Sequence, residues 1–513
     1  VNLAQKILDE LARAPHRPVL HELSPTGGIL RTLSASTLLA EAAAWQARFA
    51  ADGLRPGDAA GLSPARNSSL PALHLAALAS GLAVVPVNSA LSERERDALL
   101  REAKLERVYG EPNTATAEIA STRAEVEDPS PPAADADPAD TNATQEVDDA
   151  SVAVADGSPV VADRSAADTA LVLYTSGTTG RPKSVPLSHA NLLYDLEALA
   201  DAWARSREDR LLHMLPAHHF HGLVLAMYGS LLCGCETYLL PRFDARAALD
   251  AVSNHGITLI MGVPTMYARM LDAAETGDDP SSLRLAISGS APLAASTWTR
   301  FRDRFGVELV ERYGLTETGI VSTNPPDAPK PGSVGKPLEG TRIAIFDGEN
   351  LHEFSDARSR ERGEIAVSGP SVMPGYGNAP EENRAAFVDG WFRTGDLGYF
   401  DDTGYLHIDG RSKELIIVGG TNVLPGEVER ALEEVAGVRE LAAAGAPDDD
   451  LGEIVAIFAV LAENADEDAV RAALENAARE NLAAYKRPRR IRFVAELPRN
   501  AMGKVDRGRL GGG

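Results

Sequence analysis

The sequence predicts an α/β protein, with a large N-terminal domain of doubly wound sheets that carries a small β-subdomain, and a small, mobile α+β C-terminal domain. Three observations predict it. A chain of 513 residues is longer than one hydrophobic core supports, so it divides into two or three domains. Up to about residue 340, short apolar runs alternate with amphipathic helical stretches, the pattern of a largely parallel sheet covered by helices. Beyond that point the runs are shorter and separated by glycine turns, as in small antiparallel sheets.

The elements follow in order. "STLLAEAAAWQARFAADGL" has the apolar period of a helix closed by Gly53, and "GLAVVPVN" reads as a buried strand. Residues 111–167, rich in Ala, Asp and Pro and almost without aromatic side chains, read as a mobile surface excursion. "TALVLYTSG" is a β-rich run opening into a loop, after which a short extended "VPL" leads to a helix capped by Ser188. "ETYLL", "ITLIMGV", "LRLAISGS" and "VELVERYG" supply further strands, and "TRIAIFDG", "GEIAVSG" and "GYLHIDGR" form the β-subdomain. The boundary falls at Gly410–Arg411, giving domains 1–410 and 411–513; the second carries a basic stretch, "YKRPRRIRF".

Bulk properties narrow the function. A net charge of −24 argues against a nucleic-acid partner, which needs a basic surface to displace phosphate counterions. Cys233 and Cys235 are too few ligands for a structural zinc site and read as buried thiols in a reducing compartment. The opening "VNLAQKILDELARAPHRP" is amphipathic and partly acidic, unlike a signal peptide. No run approaches the ~20 apolar residues of a membrane span. The expected location is the cytoplasm.

The loop at 173–184, "LYTSGTTGRPKS", places small hydroxyls, glycines and one lysine together, a composition suited to polyphosphate. Counted from Gly177 it nearly spells the G-x-x-x-x-G-K-[ST] loop of nucleoside triphosphatases, with Lys183 and Ser184 in register. Pro182, however, occupies the second glycine position, where it has no N–H to donate. The following helix also begins too late for its N-terminus to lie under the phosphates. A γ-phosphate-splitting loop is thereby excluded, and a mobile lid over a polyphosphate remains.

"YTSGTTGRPK" resembles the phosphate loop of the adenylate-forming superfamily: AMP-forming acyl-CoA synthetases, adenylation domains and luciferases. Four more segments resemble that family's motifs in the family's order: "ERYGLTETG" (311–319), "GWFRTGDLG" (390–398), "GRSKELIIVGGTNVLPGEVE" (410–429) and "LPRNAMGK" (497–504). The resemblance implies that Thr175, Ser176, Gly177, Thr178, Thr179 and Lys183 hold the β- and γ-phosphates of ATP, and that Thr316 contacts the α-phosphate. It implies that Glu317 positions Mg²⁺, that Asp396 and Arg411 bind the ribose, and that Ser290, Ala291 and Pro292, with Tyr313, flank the adenine. Lys504 would be the catalytic lysine, Lys413 the hinge, and Gly419–Gly420 the loop lining the path of the attacking thiol. Glu414 stands where most members have aspartate after the hinge.

The identity of the acid is carried by fewer residues. "LPAHHFHGL" is similar to a histidine-bearing stretch that borders the acyl pocket, so His219 or His221 is expected to close the pocket or meet the carboxylate; the competing reading is a histidine hydrogen-bonded at a strand end. Together with "MGVPTMYARML", "ISGSAPL" and "ERYG", it looks most like synthetases of short dicarboxylates, malonate above all. Arg312 is the physical pointer, because an arginine here shortens the pocket and pairs with a second carboxylate; the alternative is a surface ion pair. Arg242 and Arg284 are weaker candidates. Thr299, where such synthetases often carry arginine, departs from the malonate pattern. The alternatives are a monocarboxylic or fatty acid as substrate, a carrier-protein phosphopantetheine in place of CoA, and a non-catalytic nucleotide sensor. The last is disfavoured by an intact loop and tail lysine.

Overall fold

The computed structural model describes residues 2–63, 66–110, 158–176, 182–353, 361–377, 379–499 and 505–510. Among them, a nine-stranded sheet runs in the spatial order Lys336–Pro337, Gly319–Thr323, Leu309–Leu315, Leu285–Ser288, Leu259–Gly262, Arg210–His213, Glu236–Leu239, Pro18–Leu23 and Ile29–Ser34. The six strands from Leu309–Leu315 to Pro18–Leu23 are mutually parallel, while the strands outside them pair antiparallel. The central strands Leu259–Gly262 and Leu285–Ser288 are buried at every position, which is why they read as continuous apolar runs rather than alternating ones.

A second sheet is built from Val108–Tyr109, Ala59–Leu62, Ala83–Pro86, Thr169–Ser176 and Pro182–Ser188. The last two strands form an antiparallel hairpin whose ends are Ser176 and Pro182. The extended segment anticipated as "VPL" is thus a seven-residue strand. It lies on the sheet's edge, where the missing N–H groups of Pro182 and Pro186 are tolerated. The helix His189–Ala202 starts only beyond it, with Ser188 Oγ accepting the Asn191 N–H at 3.1 Å.

The helix expected from "STLLAEAAAWQARFAADGL" spans Ala35–Ala51, and Gly53 has the positive φ (82°) that turns the chain away. The reading of 111–167 as a surface excursion needs correction from residue 158 onward. There the chain is pinned to the body: the Val160 N–H donates to Gln46 Oε1 at 2.8 Å, and the Gln46 amide donates to Val160 O at 2.6 Å. Residues 111–157 lie outside the described residues.

The β-subdomain is an antiparallel sheet that includes Arg342–Phe346, Gly363–Ser368, Trp391–Phe400 and Leu406–Arg411. Arg411 pairs with Asp396 as the last residue of that sheet, so the chain leaves it one residue later than the expected boundary. After residues 412–415 a separate sheet begins at Ile416–Val418 and continues through Thr421–Val423, Val438–Asp448, Gly452–Leu461 and Arg490–Phe493. Its own core gathers Ile416, Val428, Leu432, Val455, Ile457 and Leu474. The protein is therefore an α/β fold with a large N-terminal and a small C-terminal unit. Cys235 is buried with its thiol donating to Ser206 O, and Cys233 is partly exposed; neither is in a disulfide.

Candidate active site

Ligands of open parallel sheets sit beyond the carboxyl ends of the strands. In the nine-stranded sheet those ends carry His213, Gly262, Ser288 and, past the last, the segment Gly289–Pro292. Leu309–Leu315 runs beside Leu285–Ser288 and brings Arg312 against Gly289. The approach is so close that a Cβ at Gly289 would stand 2.5 Å from the guanidinium carbon, so only glycine leaves Arg312 its place. Ser290 follows with φ 71°, a left-handed conformation uncommon for a residue with a side chain and often found at functional sites.

Arg312 does not reach the surface. It is 6% exposed, its Nη2 lies 3.3 Å from Ser290 Oγ, and its Nε has no hydrogen-bond partner. Burial lowers its pKa to about 10. The surface-ion-pair reading is thus set aside by geometry. His221 is buried within electrostatic reach of Arg312, and neither ring nitrogen has a partner. Burial, then Arg312 and His213, hold its pKa well below the usual value, so the ring is neutral. His221 opens a helix wound as a π-helix, His221–Tyr228, a rare geometry met mostly at functional sites. His219 is half-buried, with its ring 4.2 Å from that of His218. His213 Nε2–H donates to Gly222 O, 2.8 Å away, and its Nδ1 is unpartnered. Arg66 donates to the carbonyls of Met214 and His213 at 3.3 and 3.2 Å, and burial lowers its pKa to about 10. Two guanidiniums, Arg312 and Arg66, and the neutral His221 ring thus line this end of the crevice with N–H groups to spare, which suits an anionic ligand.

Arg284 is not part of it. Its guanidinium makes a two-point pair with Asp209 at 2.7 and 2.6 Å, at the opposite, amino end of its strand. Arg242 lies exposed beyond Glu236–Leu239, and Thr299 is exposed on the helix Ala295–Phe305.

The turn after Leu309–Leu315 presents Thr316 and Glu317, both half-buried, and is closed by the Leu315 N–H donating to Thr318 Oγ1 at 3.1 Å. Tyr376 donates its hydroxyl to Glu317 Oε1 at 3.0 Å, and Lys183 Nζ stands 5.0 Å from the centre of the same ring. Tyr376 therefore joins the hairpin of the second sheet to the Glu317 turn, with the Gly377 N–H donating to Ser184 O at 3.1 Å beside it. Thr175 faces Lys183 across that hairpin. Tyr313 points to the other face of its strand from Arg312 and donates to Asp396 Oδ2 at 2.6 Å, while Arg411 Nε donates to Asp396 Oδ1 at 2.8 Å. One carboxylate is thus oriented from both sides. Ala291 is half-buried and Pro292 exposed at the edge of the same crevice.

Lys413 is exposed in a short 3₁₀ turn between the two units. Gly419 and Gly420 form the exposed tip of the hairpin joining Ile416–Val418 to Thr421–Val423. Gly177, Thr178, Thr179 and Lys504 lie outside the described residues, as does the side chain of Ser176. In the basic stretch, Lys486 pairs with Glu427 at 2.5 Å, and Arg487 donates to the carbonyls of Leu482 and Arg479. Sequence reasoning missed Tyr376, Arg66 and Asp195 (described below), none of which falls in a recognisable motif. Among the described residues, no helix is long and apolar enough to cross a membrane, and no three His, Cys, Asp or Glu side chains gather where they could hold a metal ion.

Comparison with known proteins agrees with this geometry. A family model described as AMP-binding enzyme matches residues 8–377, and one described as AMP-binding enzyme C-terminal domain matches residues 427–504. The chain is 42% identical over 354 residues to a long-chain-fatty-acid–CoA ligase of Bacillus subtilis, covering 67% of this chain and 61% of that protein. It is 41% identical over 347 residues to a sulfoacetate–CoA ligase of Cupriavidus necator, covering 66% of each. Both alignments span less than two thirds of the relative's length. ATP-bound MatB from Rhodopseudomonas palustris superposes with a TM-score of 0.83 and 33% identity, over 99% of this chain and 98% of that one. The chain belongs to the AMP-binding enzyme family.

Proposed function

We propose that this protein activates a short carboxylic acid bearing a second anionic group, malonate or a similar dicarboxylate, with ATP, and transfers the acyl group to CoA. The observation that carries the reading is Arg312: a buried guanidinium with no carboxylate paired to it, beside the unpartnered nitrogens of His221. A long alkyl chain gives such a group nothing to bind, whereas a second anion does. The similarity to a sulfoacetate–CoA ligase favours the same class of acid.

A carboxylate is a poor acyl donor because its leaving group would be oxide. Its oxygen attacks the α-phosphorus of ATP, the bond to the β-phosphate breaks, and pyrophosphate leaves; an acyl-AMP remains. The barrier is repulsion between anions, so the site's part is to supply cations and donors along the path. Lys183 with Thr175, Ser176, Gly177, Thr178 and Thr179 holds the β- and γ-phosphates, and Thr316 meets the α-phosphate. Asp396, oriented by Tyr313 and Arg411, takes the ribose hydroxyls, and Ser290, Ala291 and Pro292 border the base. A lone carboxylate with phosphate oxygens and water fits Mg²⁺, which rarely uses an all-protein cage. Glu317 would hold it, and the ion would neutralise phosphate charge. Lys504 bridges the attacking carboxylate and the α-phosphate. In the second step the CoA thiol, arriving past Gly419 and Gly420, attacks the acyl carbon, and the bond to AMP breaks. Rotation of the small unit about Lys413 exchanges the two sets of groups.

The test is pyrophosphate release with ATP, Mg²⁺ and CoA over a panel of mono- and dicarboxylic acids. The reading expects AMP as co-product and preference for short dianions. Accumulation of ADP, or preference for uncharged long chains, would contradict it.

A further inference from the structure

Behind the turn that presents Thr316 and Glu317 lies a carboxyl group for which the reaction above has no use. Asp195, on the helix His189–Ala202, is 0% exposed, and its two oxygens accept the Ile320 backbone N–H at 3.0 and 3.2 Å. Gly319 is pressed on it: a Cβ there would stand 2.9 Å from Asp195 Oδ2 and 3.2 Å from Ser371 Cβ. The charged group facing Asp195 from a neighbouring element is Arg312, and from its own helix the neighbour is Tyr194. His221 and Tyr267 lie around Arg312 instead.

We propose that Asp195 is a positioning residue that clamps the Thr316–Glu317 turn through the Ile320 N–H and makes no ion pair with Arg312, so that the incoming acid's second anionic group is what neutralises that guanidinium. This rests on the adenylation reading above. The physical basis is burial, which pushes the Asp195 pKa up to about 8 against the opposing pull of the Ile320 N–H and Arg312. An anion beside Arg312 cancels part of that pull, so acid binding and Asp195 protonation favour each other reciprocally. Below about pH 8 Asp195 carries its proton and Arg312 is available. As pH rises through that value, Asp195 ionises in the free enzyme and competes for Arg312, and KM for the acid rises. The sign for folding is the same: the contribution of Asp195 to stability is whole below the ordinary carboxylate pKa and is lost as pH rises towards the folded value.

Glu311 must be separated from this effect, because burial raises its pKa to about 8 as well. It lies on the opposite face of the strand from Arg312, accepting the backbone N–H groups of Gly332 and Leu293.

The experiment measures KM for the best acid in the ATP–pyrophosphate exchange reaction between about pH 6.5 and about pH 9, where the substrate carboxylates stay ionised and Arg312, with its pKa of about 10, keeps its charge. The wild type and Glu311→Gln should show KM rising by up to about tenfold per pH unit above about pH 8. Asp195→Asn, which keeps the acceptor but cannot ionise, should lack that rise. Asp195→Ala should lower kcat as well, because the turn loses its anchor, and thermal melting checks that it folds. Without any substrate, the infrared difference between wild type and Asp195→Asn at about pH 7 should contain the band of a protonated carboxyl group. Exchange activity with parallel pH profiles for wild type and Asp195→Asn, or absence of that band, overturns this inference and leaves the adenylation reading standing. Absence of exchange with every acid overturns both.

Discussion

Arg312 shows what one residue can settle. A guanidinium removed from water with an unspent Nε costs several kcal/mol unless a ligand answers it. Replacing it should therefore act on the choice of acid more than on the chemistry. Arg312→Gly is expected to lower kcat/KM for dicarboxylates by about 100-fold, equivalent to about 3 kcal/mol, and to admit bulkier monoacids. Steady-state kinetics on a matched pair of mono- and dicarboxylates reads this directly, and unchanged dicarboxylate kinetics would remove Arg312 from the pocket. Arg312 could be singled out from the sequence because it stands in "ERYG", a segment that resembles the acyl-pocket stretch of short-dicarboxylate synthetases. Asp195 and Tyr376 could not, because each acquires its meaning from a partner far along the chain: Ile320, 125 residues away, and Glu317, 59 residues away. Arg284 was the weaker candidate in sequence, and its two-point pair with Asp209 removes it from the pocket.

At the scale of elements, the parallel strands were readable because burial on both faces writes an unbroken apolar run. The strand Pro182–Ser188 was under-read for an equally physical reason: two prolines argue against a strand unless it lies on an edge. The π-helical winding of His221–Tyr228 has no sequence signature at all. The hairpin tip Gly419–Gly420 carries the sharpest prediction here. Val418 pairs with Thr421 across it, and both glycines have positive φ, 56° and 80°, so it is a two-residue turn of the I′ kind. Gly419→Val forces a β-branched residue into that region at a cost of about 1–3 kcal/mol. Acyl transfer to CoA should slow by about tenfold or more, while pyrophosphate exchange stays near the wild-type rate. Single-turnover transfer from preformed acyl-AMP separates the two steps, and equal slowing of both would contradict the assignment of this tip to the thiol path.

For the whole molecule, the two units have separate sheets and separate cores and are joined through residues 412–415, where Lys413 sits. The change in strand length and glycine spacing near residue 340 marked the β-subdomain, and a separate small unit was expected from residue 411 onward. The close link across that boundary was not legible: Arg430 of the small unit donates to Asp409 at 3.2 Å, a contact no local pattern encodes. Because the role proposed for Lys504 is confined to the first step, Lys504→Ala should abolish adenylate formation yet spare thioester formation from supplied acyl-AMP; equal loss of both would refute that role. The central claim is that a carboxylate oxygen attacks the α-phosphorus of ATP, and its most direct test follows the oxygen. The acid that turns over best is labelled with oxygen-18 in its carboxylate and converted with unlabelled ATP and CoA in unlabelled water. The account predicts one labelled oxygen in the phosphate of the AMP released; label recovered in pyrophosphate or inorganic phosphate, with none in AMP, would contradict it.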